Sequence, residues 1–117
     1  MSDATISELS KLAIGFRDER DWKQFHNPKD MALSLALESA EVMELMQWKN
    51  GQELQRHLEL NRARLGEELS DVLFWVLAMA NDFGIDLGEA FKQKLVRNAQ
   101  KYPIEKAKGV STKYTDL

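Results

Sequence analysis

A chain of 117 residues is sized for one domain with its own core, and six glycines and two prolines are too few for a turn-rich β protein. A net charge of -3 lacks the cationic excess of a nucleic-acid-binding surface, and the absence of cysteine excludes disulfides and thiolate metal sites. No apolar run approaches the roughly 18 residues of a membrane span, and Met1 to Thr5 lack the basic flank and apolar stretch of a secretory signal, so a cytoplasmic location is expected, with neither membrane nor nucleic acid as a partner.

The first predicted element is an amphipathic helix from about Thr5 to Arg20. Ile6, Leu9, Leu12, Ala13 and Phe16 recur at helical spacing, and Thr5 with Glu8 forms a capping-box pattern. The segment Asp21 to Asn27 loses that period and mixes Trp22, Phe25 and His26. It reads either as a connection whose rings plug the core or as one that turns Trp22 and His26 toward a pocket. A second helix starts at Asn27, with Pro28 at its first position and Asp30 at the positive end of its dipole. It is expected to run to about Trp48, where Lys49-Asn50-Gly51 is a stop signal. Its side chains are apolar nearly all round through Leu37, which predicts deep burial.

Gln52 to Asn61 reads as a short separate helix or as the start of the next one. A further helix spans Arg62 to Phe83 with Gly84 as its C-cap, and a last one begins at Asp86, with Glu89 completing a second capping box, and ends before Pro103. The tail 104–117 is either frayed or held by contacts. Four helices without a convincing strand predict an all-α, four-helix-type bundle occupying residues 1–117 as a single domain. The apolar segments of the second and third long helices exceed what a small monomer covers, so a dimer or a dimer of dimers is expected.

Four acids carry the chemistry. Glu38 and Glu41 follow the apolar run Met31 to Leu37, and Glu68 and Asp71 precede the apolar run Val72 to Ala80. In each pair the acids are three apart, which places them on one helix face. An acid pair of this kind alone is usually solvated surface. Here both pairs adjoin apolar runs on helices expected to share a core, where four like charges need protons, cations or a metal as compensation. Glu44 and Glu67 are weaker candidates.

All-oxygen ligands favour magnesium, manganese or calcium over zinc or copper. A di-iron bundle would supply Glu-x-x-His motifs, and neither histidine, His26 or His57, has a glutamate three positions before it. Magnesium commonly shares its coordination with substrate phosphates, and the last helix carries Lys94, Arg97 and Lys101. A polyphosphate substrate follows, although such basic residues also fit a solvated face.

The pattern Glu38-x-x-Glu41 with Glu68-x-x-Asp71 resembles the metal-binding signature of the all-α nucleoside triphosphate pyrophosphohydrolases of the MazG-like superfamily. The segments Glu19 to His26, Met46 to Lys49, Glu67 to Leu73, Lys101 to Pro103 and Ser111 to Thr115 look like the dCTP pyrophosphatase branch. The resemblance implies hydrolysis of a (deoxy)nucleoside triphosphate to the monophosphate and pyrophosphate, with dCTP or a modified dCTP favoured and dATP or dUTP as further substrates, in nucleotide-pool house-cleaning. It implies magnesium, with manganese as a substitute, held by Glu38, Glu41, Glu68 and Asp71. Catalytic roles fall to Glu38 and Glu41, with Glu38 as base. Trp22, His26, Trp48 and Trp75 then match base-pocket positions, Lys94, Asn98, Lys101 and Tyr102 match the sugar and phosphate helix, and sites are completed across subunits. Ala13 departs from a branch that carries histidine there. The competing readings are a phosphoribosyl-ATP pyrophosphohydrolase and a non-catalytic helical nucleotide-binding or interaction module.

Overall fold

The computed structural model describes residues 2–117, which contain helices and no strand. The α-helices are α1 (Ile6–Glu19), α2 (Pro28–Met46), α3 (Gly51–Leu60), α4 (Arg62–Asp82), α5 (Leu87–Lys101) and α6 (Ile104–Ala107), with 3₁₀ turns at Lys23–Phe25 and Tyr114–Asp116. The all-α expectation holds. The chain divides into two compact units, one ending at Gly84 and the other spanning Ile85–Leu117.

Local chemistry explains three of the six described α-helix starts. The Thr5 hydroxyl accepts the Glu8 N–H at 3.1 Å, the Asn27 amide oxygen accepts the Asp30 N–H at 2.9 Å, and the Asp86 carboxylate accepts the Glu89 N–H at 3.0 Å. Each bond satisfies an amide that has no partner inside its helix. The two expected capping boxes close differently, however. The Glu8 carboxylate takes the Thr5 hydroxyl at 3.1 Å, and the Glu89 carboxylate accepts from Gln93 one turn on at 3.4 Å.

Helix α2 stops two residues before the expected Trp48. Gln47 leaves the helical region with ψ 138°, and Trp48 takes φ +71°, a left-handed conformation that costs a non-glycine residue energy. Gly51 belongs to the start of α3 rather than to a loop, and α3 is a helix in its own right. It is separated from α4 at Asn61, whose φ −115° and ψ 30° break the helical path. At the end of α4, Gly84 adopts φ +63° and donates to the Asn81 carbonyl at 3.2 Å, which fits its expected capping role.

In the first unit α4 is the element on which α1, α2 and α3 pack, and its contact with α2 is the most extensive. Met31 and Leu45 of α2 and Leu77, Ala78 and Ala80 of α4 are buried there. The expectation that α2 is buried all round is corrected. Leu33, Leu37 and Met43 remain 54%, 67% and 71% exposed, because the helices packed on α2, chiefly α4 with a smaller contribution from α3, leave these positions uncovered.

In the second unit the tail is held rather than frayed. The Tyr114 ring lies edge-on to Tyr102 at 5.8 Å, and the Lys101 ammonium sits 4.8 Å from the Tyr114 centroid, a separation at which cation–π attraction operates.

Candidate metal centre and adjoining cavity

The packing of α2 on α4 brings the two acid pairs together. One carboxylate oxygen from each of Glu38, Glu41, Glu68 and Asp71 lies within 4.8 Å of the others. The i, i+3 spacing aims each pair from one helix face, and the apolar residues that follow or precede each pair press those faces toward one another. Glu38 and Glu68 are half-buried and Glu41 and Asp71 more open. Glu44 and Glu67 are exposed and stand outside the group.

Crowding like charges in a partly dry site resists ionisation. The Glu38 carboxyl is raised above the usual range first by burial, then by the charges of Glu41, Asp71 and Glu68 and by hydrogen bonding with Glu41. Glu68 is raised first by hydrogen bonding with Glu41, then by burial and by the charges of Glu41 and Asp71, while Arg64 opposes the shift. Glu38 Oε2 and Glu68 Oε2 are both buried without a hydrogen-bond partner. Two buried, unpartnered oxygens in an all-carboxylate donor set fit a hard divalent cation, which would neutralise the cluster and satisfy them.

A cavity of about 530 Å³ opens beside this cluster. Glu38 and Asp71 line it at one side. Leu9, Leu12, Ala13 and Phe16 of α1, Trp22 of the following turn, and Ser70, Phe74, Trp75 and Leu77 of α4 complete most of its wall. It is an aromatic and aliphatic hollow bordered by two of the four carboxylates.

The family comparison agrees with this geometry. Residues 33–117 match the model of the MazG-like family. The chain belongs to the MazG-like family. Among relatives, it is 41% identical over 117 residues to dCTP pyrophosphatase 1 of Mus musculus, spanning 98% of this chain and 69% of that protein. It is 40% identical to dCTP pyrophosphatase 1 of Homo sapiens over the same shares. Among solved structures, a pyrophosphatase from Archaeoglobus fulgidus superposes with a TM-score of 0.80 at 35% identity, covering 88% of this chain and 96% of that one.

In this MazG-like chain the site residues expected from sequence are only partly brought together. The four acids converge, and Trp22 and Trp75 line the adjoining cavity. His26 packs edge-on against Trp75 at 4.9 Å, with burial and then the Arg17 charge holding its imidazole below the usual range and Asp82 opposing. Neither reading of the Asp21–Asn27 segment holds in full: Trp22 and Phe25, 42% and 64% exposed, do not plug the core, and of the pair expected at the pocket Trp22 lines it while His26 does not. Trp48 does not join them; it is 87% exposed and does not line the cavity. Lys94, Asn98 and Lys101 share one face of α5, followed by Tyr102, in the second unit.

Sequence inspection missed Phe74 and Ser70 as cavity residues, and it missed the pair Arg17–Asp82. The signal for Arg17 was present: it falls four residues after Ala13 and eight after Leu9, inside the apolar stripe of α1.

Proposed function

We propose that this protein is a divalent-metal-dependent nucleoside triphosphate pyrophosphohydrolase that releases pyrophosphate from a deoxynucleoside triphosphate, with dCTP or a modified dCTP preferred. The convergence of four carboxylates beside an aromatic cavity is the observation that carries this reading, and the dCTP pyrophosphatases among its relatives support the base preference. Glu38, Glu41, Glu68 and Asp71 would hold magnesium, for which manganese can substitute. When bound, the metal supplies charge neutralisation and Lewis acidity toward the phosphates.

The chain's own residues supply the rest. The Glu38 carboxylate, at the border between the cluster and the cavity, accepts a proton from water as the water oxygen bonds to the α-phosphorus. The bond from that phosphorus to the oxygen bridging to the β-phosphorus breaks, and pyrophosphate leaves with the electron pair. Trp22 and Trp75 offer ring faces and edges to the base, a stacking contact that tolerates different bases. Lys94, Asn98, Lys101 and Tyr102 are the groups assigned to sugar and phosphate.

The test is pyrophosphate release from a panel of canonical and modified nucleoside triphosphates, with and without magnesium. Release of pyrophosphate with the monophosphate, strongest for dCTP or a 5-substituted dCTP, is the expected result. Release of orthophosphate instead, or turnover unchanged by chelation, overturns the reading.

The working form is proposed to be a homodimer or a dimer of dimers, in the cytoplasm. Leu33, Leu37, Met43 and Leu69 are exposed apolar side chains on the two helices that carry the acids, and a monomer gains nothing by leaving such surface in water. None of the described helices is long and apolar enough to cross a membrane. Sedimentation at micromolar concentration is expected to give at least twice the 13.5 kDa chain mass; a clean monomer would remove the oligomer from the proposal.

A further inference from the structure

Arg17 is the deepest charged side chain among the described residues, at 1% exposure. Its guanidinium meets Asp82 through two hydrogen bonds of 2.9 and 3.0 Å, joining the last turn of α1 to the last residue of α4. Asp82 is held below its ordinary value by those bonds, burial opposing. A buried ion pair is a poor way merely to glue two helices, since well-packed apolar residues of similar volume often do so as well or better. What the fork adds is direction: two parallel bonds fix the rotation of the guanidinium against its partner.

The fork fixes the last turn of α1 against the end of α4, and the main chain leaves that turn directly into the segment that borders the cavity. The Arg17 carbonyl accepts the N–H of Trp22 at 3.1 Å, across a turn in which Asp21 takes φ +54°. The turn folds the Trp22 ring back onto Phe16 at 5.7 Å, and the series continues from Phe16 to Phe74 at 6.2 Å, to Trp75 at 5.1 Å and to His26 at 4.9 Å. Four of these five rings line the cavity, and the two ends of the series, Trp22 and His26, belong to the segment anchored at Arg17. His26 also leaves a buried Nδ1 without a partner, so its own hydrogen bonds do not fix its place.

We propose that Arg17, clamped by Asp82, is a positioning residue for nucleotide binding that acts through Trp22 and His26 to preform the aromatic wall of the cavity. The inference rests on the cavity receiving the nucleotide, as proposed above. Arg17 touches neither the acids nor the reacting phosphates in this reading, so its loss acts on binding rather than on the chemical step.

The test compares the wild type with Arg17→Lys and with the double variant Arg17→Met/Asp82→Leu, which removes both charges without stranding either. Expected for the double variant are unchanged helical content, an altered near-ultraviolet circular dichroism spectrum, a KM raised about tenfold and a kcat within about twofold of wild type. Arg17→Lys, which keeps the charge but not the fork, is expected to fall between the two. A folded double variant with wild-type KM overturns the proposal. Should the double variant lose helical content, Arg17→Lys decides: a raised KM with kcat kept upholds the positioning role, and a reduced kcat with unchanged KM overturns it. Failure of the functional reading is seen separately, as a wild type without turnover on any nucleotide. The near-ultraviolet spectra then decide alone, altered spectra upholding the preformed wall and unchanged spectra overturning it.

Discussion

Glu41→Gln is expected to lower metal-dependent pyrophosphate release by at least about 10²-fold, equivalent to roughly 2.7 kcal/mol of barrier. Glu41 is the neighbour that bears on both half-buried acids: it stands within the same 4.8 Å group and contributes to raising both Glu38 and Glu68. The amide keeps the shape of the side chain and removes one of the four negative charges that would hold the cation. Glu38→Gln is expected to cost about 10²- to 10⁴-fold, the range for loss of a positioned general base. The two losses differ in kind. Metal titration followed by intrinsic fluorescence should show weaker binding in both variants, whereas raising the metal concentration should recover a larger share of the rate in Glu41→Gln. A Glu38→Gln enzyme with unaltered kcat at saturating metal would transfer the base role elsewhere.

The second large effect is on stability without metal. Glu38 and Glu68 carry pKa values raised in the folded protein, so their stabilising contribution is fully present below the unfolded value of about 4.3 and is lost as pH rises through the folded values. Asp82 works in the other sense: its lowered value gives stability above about 3.9 that disappears as pH falls through the folded value. Lowering the pH toward the unfolded value of about 4.3 is therefore expected to raise the melting temperature of the metal-free protein relative to a Glu38→Gln/Glu68→Gln variant, in which the raised acids are absent. A divalent cation reverses this order. At neutral pH, a concentration 100 times its Kd is expected to raise the melting temperature by about 10 °C, and the gain should shrink toward pH 5 as protons compete for the same oxygens. Melting temperatures in which the wild type and the double variant respond alike to pH and to metal would show that the four acids do not act as one site.

The acid pairs, the caps at Thr5, Asn27 and Asp86 and the glycine at the end of α4 were all legible in the chain because each depends on neighbours within four residues. The same locality explains the all-α class: helical periodicity is written one turn at a time. Sequence also supplied the family resemblance, since Glu38, Glu41, Glu68 and Asp71 keep their spacing whatever lies between the pairs. It did not reveal that Gln47 and Trp48 abandon the helix, nor that Leu33, Leu37 and Met43 stay uncovered within one chain. Apolar periodicity states that a face needs a partner and is silent on whether the partner lies in the same chain.

Only the tertiary structure decided the remainder. The approach of the four carboxylates to within 4.8 Å depends on how α2 rotates against α4, and the 65-residue separation of Arg17 from Asp82 hides their bond from any local pattern. The cavity is likewise a product of four segments, α1, the turn after it, α2 and α4. Sequence by itself determined which residue types are present at helical spacing, because backbone hydrogen bonding is local. Which of them face one another was decided by packing, because burial of apolar surface acts between segments that are distant along the chain.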